Sequence, residues 1–198
     1  MENQRRTKSS RGAIAAGVFI ALYLVTYFII GAITMPVAVL FVLMPELVAL
    51  FAAPTYHMML TKSPNWISIM IAAFLPSVLL IASGHIPIAP VVSIPAGIIA
   101  VLFARQGEYK SFKWNSISHM FFSLNLFGGF IPIWFMRDYF FQDTLEGGMS
   151  QEFCDTLRTL TPWWVLPVLM VATMLCSLLG SWLTKKILNK HLAKAGVL

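Results

Sequence analysis

The first hydrophobic run limits this chain to a membrane fold. It extends from Gly12 to Ile33 and contains no charged side chain. A helix of about 20 apolar residues is long enough to cross the ~30 Å hydrocarbon core of a bilayer. The run is longer than the apolar segment of a signal peptide, and no small-residue cleavage site follows it. We therefore expect a retained transmembrane helix.

Further hydrophobic runs predict a polytopic protein. The chain is 58% hydrophobic and 11% charged, with a mean hydropathy of +0.77. These values exclude an ordinary soluble domain and indicate an all-α integral membrane protein. We expect a break near Pro45 in the second run and an irregular start to the fourth run, which carries Pro90 and Pro95. The prediction is a single membrane domain, 1–198, with six transmembrane helices at about residues 12–33, 35–55, 66–83, 88–104, 116–136 and 162–184, an outer loop at 137–161 and a basic tail at 185–198.

The distribution of charge supports six spans with both termini in the cytoplasm. In that topology all of the 14 lysines and arginines lie inside except Arg137 and Arg158. Most of the acidic residues lie outside. This bias follows the positive-inside rule. Membrane orientation thus explains the net charge of +6, and we expect no nucleic acid partner.

Motifs for catalysis and metal binding are absent from the sequence. It contains no HExxH, GxSxG, P-loop or GxGxxG pattern. Cys154 and Cys176 are expected at different depths, which argues against a disulfide or a metal site. We expect no enzyme activity, no cofactor and no metal, although a nucleophile and a base on facing membrane helices stay possible. The histidines are scattered over different segments: His57, His85, His119 and His191.

Small residues recur every four positions in the first run, at Ala13, Gly17 and Ala21. This spacing places all three on one face of a helix. Helices in lipid gain affinity from close backbone approach through such residues. The stripe predicts either docking of a partner helix or packing inside the chain's own bundle.

Two hydrophilic segments carry further signals. In the outer loop, Gly147 and Gly148 predict a hinge, and Ser150 predicts the cap of a short helix over SQEFCDTLRTL. The loop is either a lid over an outward-facing pocket or a solvated connector. The basic tail is an amphipathic extension with Gly196 as a helix stop. Its lysines suit an anionic membrane surface, and they also suffice to set the topology.

Together these features resemble the substrate-binding S components of energy-coupling-factor (ECF) transporters. The resemblance rests on six spans, the small-residue stripe in the first span and the basic C-terminal KKILNKHLAKAG. More narrowly, the chain is similar to the strongly hydrophobic Trep_Strep group, which has a basic motif near its C-terminus. YHMMLTKSPNW, residues 56–66, is a further point of similarity.

The resemblance implies a transport role in which the chain itself is not an enzyme. S components capture a micronutrient outside and then dock on a transmembrane coupling protein that carries two cytoplasmic ATPases. Docking would use Ala13, Gly17 and Ala21, with glycine where alanine is usual. The cargo would be a vitamin-like ring compound, haem or a metal chelate. The residues expected at the cargo pocket are Tyr27, Glu46, His85, Asn125, Trp134, Arg137, Trp163 and Trp164.

Several of these residues also have structural explanations. Asn125 is equally suited to helix–helix packing, and Arg137 to an interfacial anchor or a pair with Asp138. Glu46 either contacts cargo or fixes the break at Pro45. A membrane scaffold or assembly factor that binds no small solute is the alternative function, and a membrane enzyme is the third.

Overall fold

The chain folds into helices throughout its described part. A computed structural model describes the backbone of residues 2–194 and the side chains of residues 12–189. Within those limits there is no strand, and the predicted all-α class is confirmed. The helices are α1 (Glu2–Thr34), α2 (Ala38–Val42), α3 (Met44–Phe51), α4 (Ala53–Lys62), α5 (Trp66–Ala82), α6 (Ala89–Gln106), α7 (Phe112–Phe122), a 3₁₀ helix (Ser123–Gly128), α8 (Pro132–Phe135), α9 (Arg137–Glu146), α10 (Gln151–Leu160) and α11 (Val165–Lys194).

Among the described residues, three helices are long and apolar enough to cross a bilayer. They are the Gly12–Thr34 part of α1, all of α6 and the Val165–Asn189 part of α11. They correspond to the first, fourth and sixth predicted spans. The third predicted span corresponds to α5, which is apolar but shorter than these three helices. The count of six spans and the cytoplasmic position of both termini stay predictions.

The second predicted span, 35–55, is divided among three short helices and extends to Lys62. The chain breaks at Leu43, next to the predicted break, and again at Ala52. Pro45 and Pro54 follow these breaks in the first turn of α3 and α4. Proline has no N–H to donate, so it is tolerated in a first turn and disfavoured inside a helix.

The fifth predicted span, 116–136, is also not one continuous helix. After α7 the chain tightens into the 3₁₀ helix, and it continues as the single turn of α8. Gly128 ends the 3₁₀ helix against the start of α6. A Cβ at this position would lie 2.8 Å from the carbonyl oxygen of Ala89, so only glycine fits without a shift.

The predicted outer loop consists of two helices, α9 and α10. The Ser150 hydroxyl accepts a hydrogen bond from the backbone N–H of Phe153 at 3.1 Å, which confirms the predicted cap of α10. Gly147 and Gly148 join the two helices, and Gly148 has a φ of +92° that disfavours other residues. Helix α9 was not predicted, because Arg137–Glu146 has a weak apolar face.

The basic tail continues α11 without a break as far as Lys194. The tail was predicted as a separate amphipathic extension, whereas here its described part prolongs the last span. The helix stop predicted at Gly196 lies outside the described residues.

Helix α11 packs against the rest of the bundle through its small residues. Thr173, Ser177, Ser181 and Thr184 are fully buried and recur at helical spacing. Gly180 lies on the same side, where an added Cβ would meet the backbone of Leu50 and the side chain of Ala53. Small side chains let helices approach closely in lipid, where apolar burial contributes little to association.

The two glycines at positions 180 and 17 give a matched test of this packing. We expect Gly180→Ala to lower the free energy of unfolding by about 1–3 kcal/mol, because its methyl group overpacks the contact with α3 and α4. Gly17→Ala has nothing within 4 Å of the new methyl group and does not lower the free energy of unfolding. Thermal unfolding in detergent measures both. Equal midpoints for the two variants would contradict this account of α11.

Candidate functional site

Helix α1 has one face turned into the bundle and one turned outward. Its buried residues are Ala16, Ile20, Tyr23, Tyr27, Ile30 and Thr34, which alternate at spacings of three and four. The predicted stripe, Ala13, Gly17 and Ala21, lies on the exposed side. The three stripe residues are therefore not buried by helix packing within the described chain.

A groove runs between the stripe and α5. It encloses about 770 Å³ and is mostly apolar. One end is polar, where α4 turns into α5 through Lys62, Ser63 and Asn65. The Asn65 amide donates to Ser63 Oγ at 2.7 Å, and its carbonyl oxygen caps α5 by accepting from Ser68 N–H at 3.0 Å. The apolar walls are formed by Gly12, Ala13, Ala16, Gly17, Ile20, Ala21 and Leu24 from α1 and by Ile67, Ile71 and Leu75 from α5.

Two predicted cargo residues, Tyr27 and Asn125, lie inside the helix packing. Both are buried, and Asn125 sits in the 3₁₀ helix. Its amide donates to the Phe122 carbonyl at 2.6 Å, and its carbonyl oxygen accepts from the Tyr23 hydroxyl at 3.3 Å. These bonds satisfy the amide in the way expected of a polar group that holds membrane helices together.

Glu46 is a buried acid at the break in the second hydrophobic run. It lies in the first turn of α3, where the partial positive charge of the helix N-terminus stabilises a carboxylate. One of its oxygens, Oε1, accepts from the Thr173 hydroxyl of α11 at 3.2 Å. The other, Oε2, has no hydrogen-bond partner within the described residues. Glu46 thus links the broken helix to α11 and retains one unused acceptor.

Trp134 and Arg137 hold α8 and the start of α9 against the end of α10 and the segment that follows it. The Trp134 indole N–H donates to the Pro162 carbonyl at 3.1 Å. The Arg137 guanidinium donates to the carbonyls of Thr161 at 2.8 Å and Arg158 at 2.6 Å. It also lies 5.3 Å from the ring centroid of Phe141. These contacts tie the start of α9 to the end of α10.

The remaining predicted cargo residues are on the surface. Trp163 and Trp164 are 60% and 67% exposed, as befits anchors at a membrane–water interface. His85 is exposed and lines a cavity of only about 30 Å³ between α5 and α9, with room for a water or two. In this conformation the eight predicted cargo residues do not line one common pocket.

Sequence reasoning missed a polar cluster formed by α4, α7 and α11. Ser177 Oγ and His119 Nδ1 share a hydrogen bond of 2.6 Å, and Ser181 Oγ lies 2.9 Å from His57 Nε2. The two imidazole rings are 6.1 Å apart. The histidines are distant in sequence, so only the polar residues at helical spacing in α11 could have signalled the cluster.

The chemistry of this cluster is limited. The Ser177–His119 pair has the reach of a nucleophile and a base. Both residues are fully buried, and neither lines the two cavities described above. Among the residues with described side chains, no group of three or more His, Cys, Asp or Glu is placed to hold a metal ion.

The clamp at Arg137 can be tested by amide hydrogen exchange over residues 137–161. We expect Arg137→Gln to speed exchange at least about tenfold, because it loses charged hydrogen bonds of which each contributes about 1.5–3 kcal/mol. Arg137→Lys keeps the charge but replaces the planar guanidinium, whose two nitrogens donate to two carbonyls, with a single ammonium group. We therefore expect faster exchange in this variant as well.

Asp138→Asn is the matched control for this test. It removes the neighbouring charge and leaves the clamp, so exchange stays at the wild-type rate. Equal acceleration in Asp138→Asn would show that Arg137 acts through that carboxylate and not through the Thr161 and Arg158 carbonyls.

Comparison with known proteins places the chain in one family. A family model described as a hypothetical bacterial integral membrane protein (Trep_Strep) matches residues 10–194. No curated protein and no solved structure matches the chain. The match extends over all of the hydrophobic runs, in keeping with a multi-pass protein of a bacterial membrane. The chain belongs to the Trep_Strep family of bacterial integral membrane proteins.

Proposed function

We propose that this protein is the substrate-binding subunit of an ECF-type importer. It binds a micronutrient outside the cell and docks on a transmembrane coupling protein with two cytoplasmic ATPases. The observation that carries the proposal is the outward position of Ala13, Gly17 and Ala21 on α1. The stripe offers a smooth helix face that the described chain leaves open.

The docking step follows from the physics of helices in lipid. Lipid tails are as apolar as leucine, so a partner helix gains little from apolar burial and much from close backbone contact. A Cβ built on Gly17 would meet nothing within 4 Å, which leaves space for a side chain of the partner. In the predicted topology this part of α1 lies in the cytoplasmic half of the membrane, on the side of the ATPases.

The cargo site we propose lies beneath the helical hairpin of α9 and α10. Phe153 of α10 packs on Phe41 of α2 with ring centroids 5.9 Å apart, and Phe41 stacks on Phe130 at 4.9 Å. Release of the Arg137 clamp and rotation at Gly147 and Gly148 would uncover these rings. An aromatic floor with few charges suits a flat or amphipathic cargo, such as a vitamin-like ring compound, haem or a metal chelate.

The docking claim is tested by replacing Gly17 with leucine. The side chain projects from the stripe and blocks close approach of a partner helix, so we expect Gly17→Leu to reduce assembly with a co-expressed coupling protein and ATPases at least about tenfold. Val18→Leu is the control, because Val18 is exposed next to the stripe and outside the groove.

Both variants are first shown to unfold at the wild-type temperature. Full assembly of Gly17→Leu would sink the docking claim. Loss of assembly in Val18→Leu as well would show that any bulk on this side of α1 interferes. A scaffold or assembly factor, the alternative function, would hold neither a small solute nor an ATPase-linked partner.

A membrane enzyme is the second candidate, and one contact favours it. The 2.6 Å hydrogen bond joins Ser177 and His119 on facing helices. If Ser177 is a nucleophile, Ser177→Ala abolishes turnover of a lipid or peptide substrate and leaves partner assembly intact. Under the transport proposal Ser177→Ala keeps cargo retention at the wild-type level, since the pair serves to join α7 to α11.

A further inference from the structure

The groove between α1 and α5 requires an occupant in a membrane. Its walls face outward, with Ile67 and Ile71 exposed by 49% and 47%. Apolar walls do not hold ordered water, and a trough left empty would forfeit the dispersion contacts of its lining. Either lipid or a partner helix therefore fills it.

The dimensions of the groove match one leaflet of the bilayer. Along α1 its lining extends from Gly12 to Leu24, about 18 Å at 1.5 Å per residue. Half of the ~30 Å hydrocarbon core is about 15 Å. A single acyl chain that starts at the polar end would reach the apolar end near the centre of the membrane.

The positive charge at the polar end of the groove favours an anionic lipid as the occupant. Lys62 is exposed there and is the only charged residue of the lining among the side chains that the structure describes. Ser63, Asn65 and Ser68 bond to one another and to the start of α5, so their polar groups are already largely engaged. The ammonium group of Lys62 is left to attract an anion at the depth of a headgroup.

We propose that the groove is a binding site for one anionic phospholipid. Its phosphate lies at Lys62, and an acyl chain lies between the small-residue stripe and Ile67, Ile71 and Leu75. In the predicted topology this lipid belongs to the cytoplasmic leaflet. The site does not rest on the proposed transport role. If the coupling protein docks on the stripe, the lipid and the partner compete for one surface.

The test is native mass spectrometry of the full chain without any partner protein. The purified protein is equilibrated in mixed micelles with equal amounts of phosphatidylglycerol and phosphatidylcholine of the same acyl chains. We expect one retained phosphatidylglycerol per chain. Lys62→Gln reduces the preference for phosphatidylglycerol about fivefold, the effect of one lysine near an anionic headgroup. Gly17→Leu fills the groove and reduces retention of both lipids.

Two control variants lie outside the groove. Lys110→Gln removes a basic residue of the same predicted membrane side, and Val18→Leu adds bulk on α1 beside the stripe. Both keep wild-type lipid retention. Equal retention of the two lipids by the wild type, or equal losses in Lys62→Gln and Lys110→Gln, would overturn the proposal.

A photo-reactive side chain at Ala21 examines the occupant in native membranes. Cross-linking to a phospholipid agrees with the proposal, and cross-linking to protein alone would overturn it in favour of a partner helix. The micelle assay contains no coupling protein, so its result stands apart from the outcome of the assembly experiment.

Discussion

Close approach of helix backbones is the constraint on which this fold depends. In lipid, bulky apolar side chains lie as comfortably against acyl chains as against another helix, so they do not hold a bundle together. Gly180 on α11 and Gly128 at the end of the 3₁₀ helix both sit where a Cβ would meet a neighbouring backbone. Polar contacts such as Thr173 to Glu46 and Tyr23 to Asn125 then fix the helices at these distances.

The same constraint explains why the small-residue stripe on α1 is a candidate docking surface. The small residues of α11 are buried against neighbouring helices, whereas those of α1 face outward. A smooth face contributes to association only when another helix lies on it. The contrast between α11 and α1 is what supports the proposed docking surface, and the neighbouring groove with Lys62 supports a lipid that covers the surface before a partner does.

Uninterrupted apolar runs made part of the fold predictable. Helices α1, α6 and α11 follow from length and hydropathy, the break near Pro45 follows from proline chemistry, and the Ser150 cap follows from local hydrogen bonding. The 3₁₀ helix at Ser123–Gly128 was not predictable, because it ends in a close tertiary contact between Gly128 and Ala89 that local sequence does not indicate. The sequence likewise did not indicate that His57 and His119 meet, since α4 and α7 are far apart along the chain and pack against each other only in the folded bundle. Of the expected cargo residues, Trp134 and Arg137 both donate hydrogen bonds to backbone carbonyls at the end of α10 and just after it. Their spacing in the sequence did not indicate this structural role.

Native mass spectrometry of the protein, purified in mild detergent from its own host, tests the central claim most directly. The transport account predicts a retained small molecule of defined mass, or the coupling protein with its two ATPases, in addition to lipid. A folded protein that carries lipid adducts but neither a solute nor an ATPase-linked partner would contradict the account and favour a membrane scaffold.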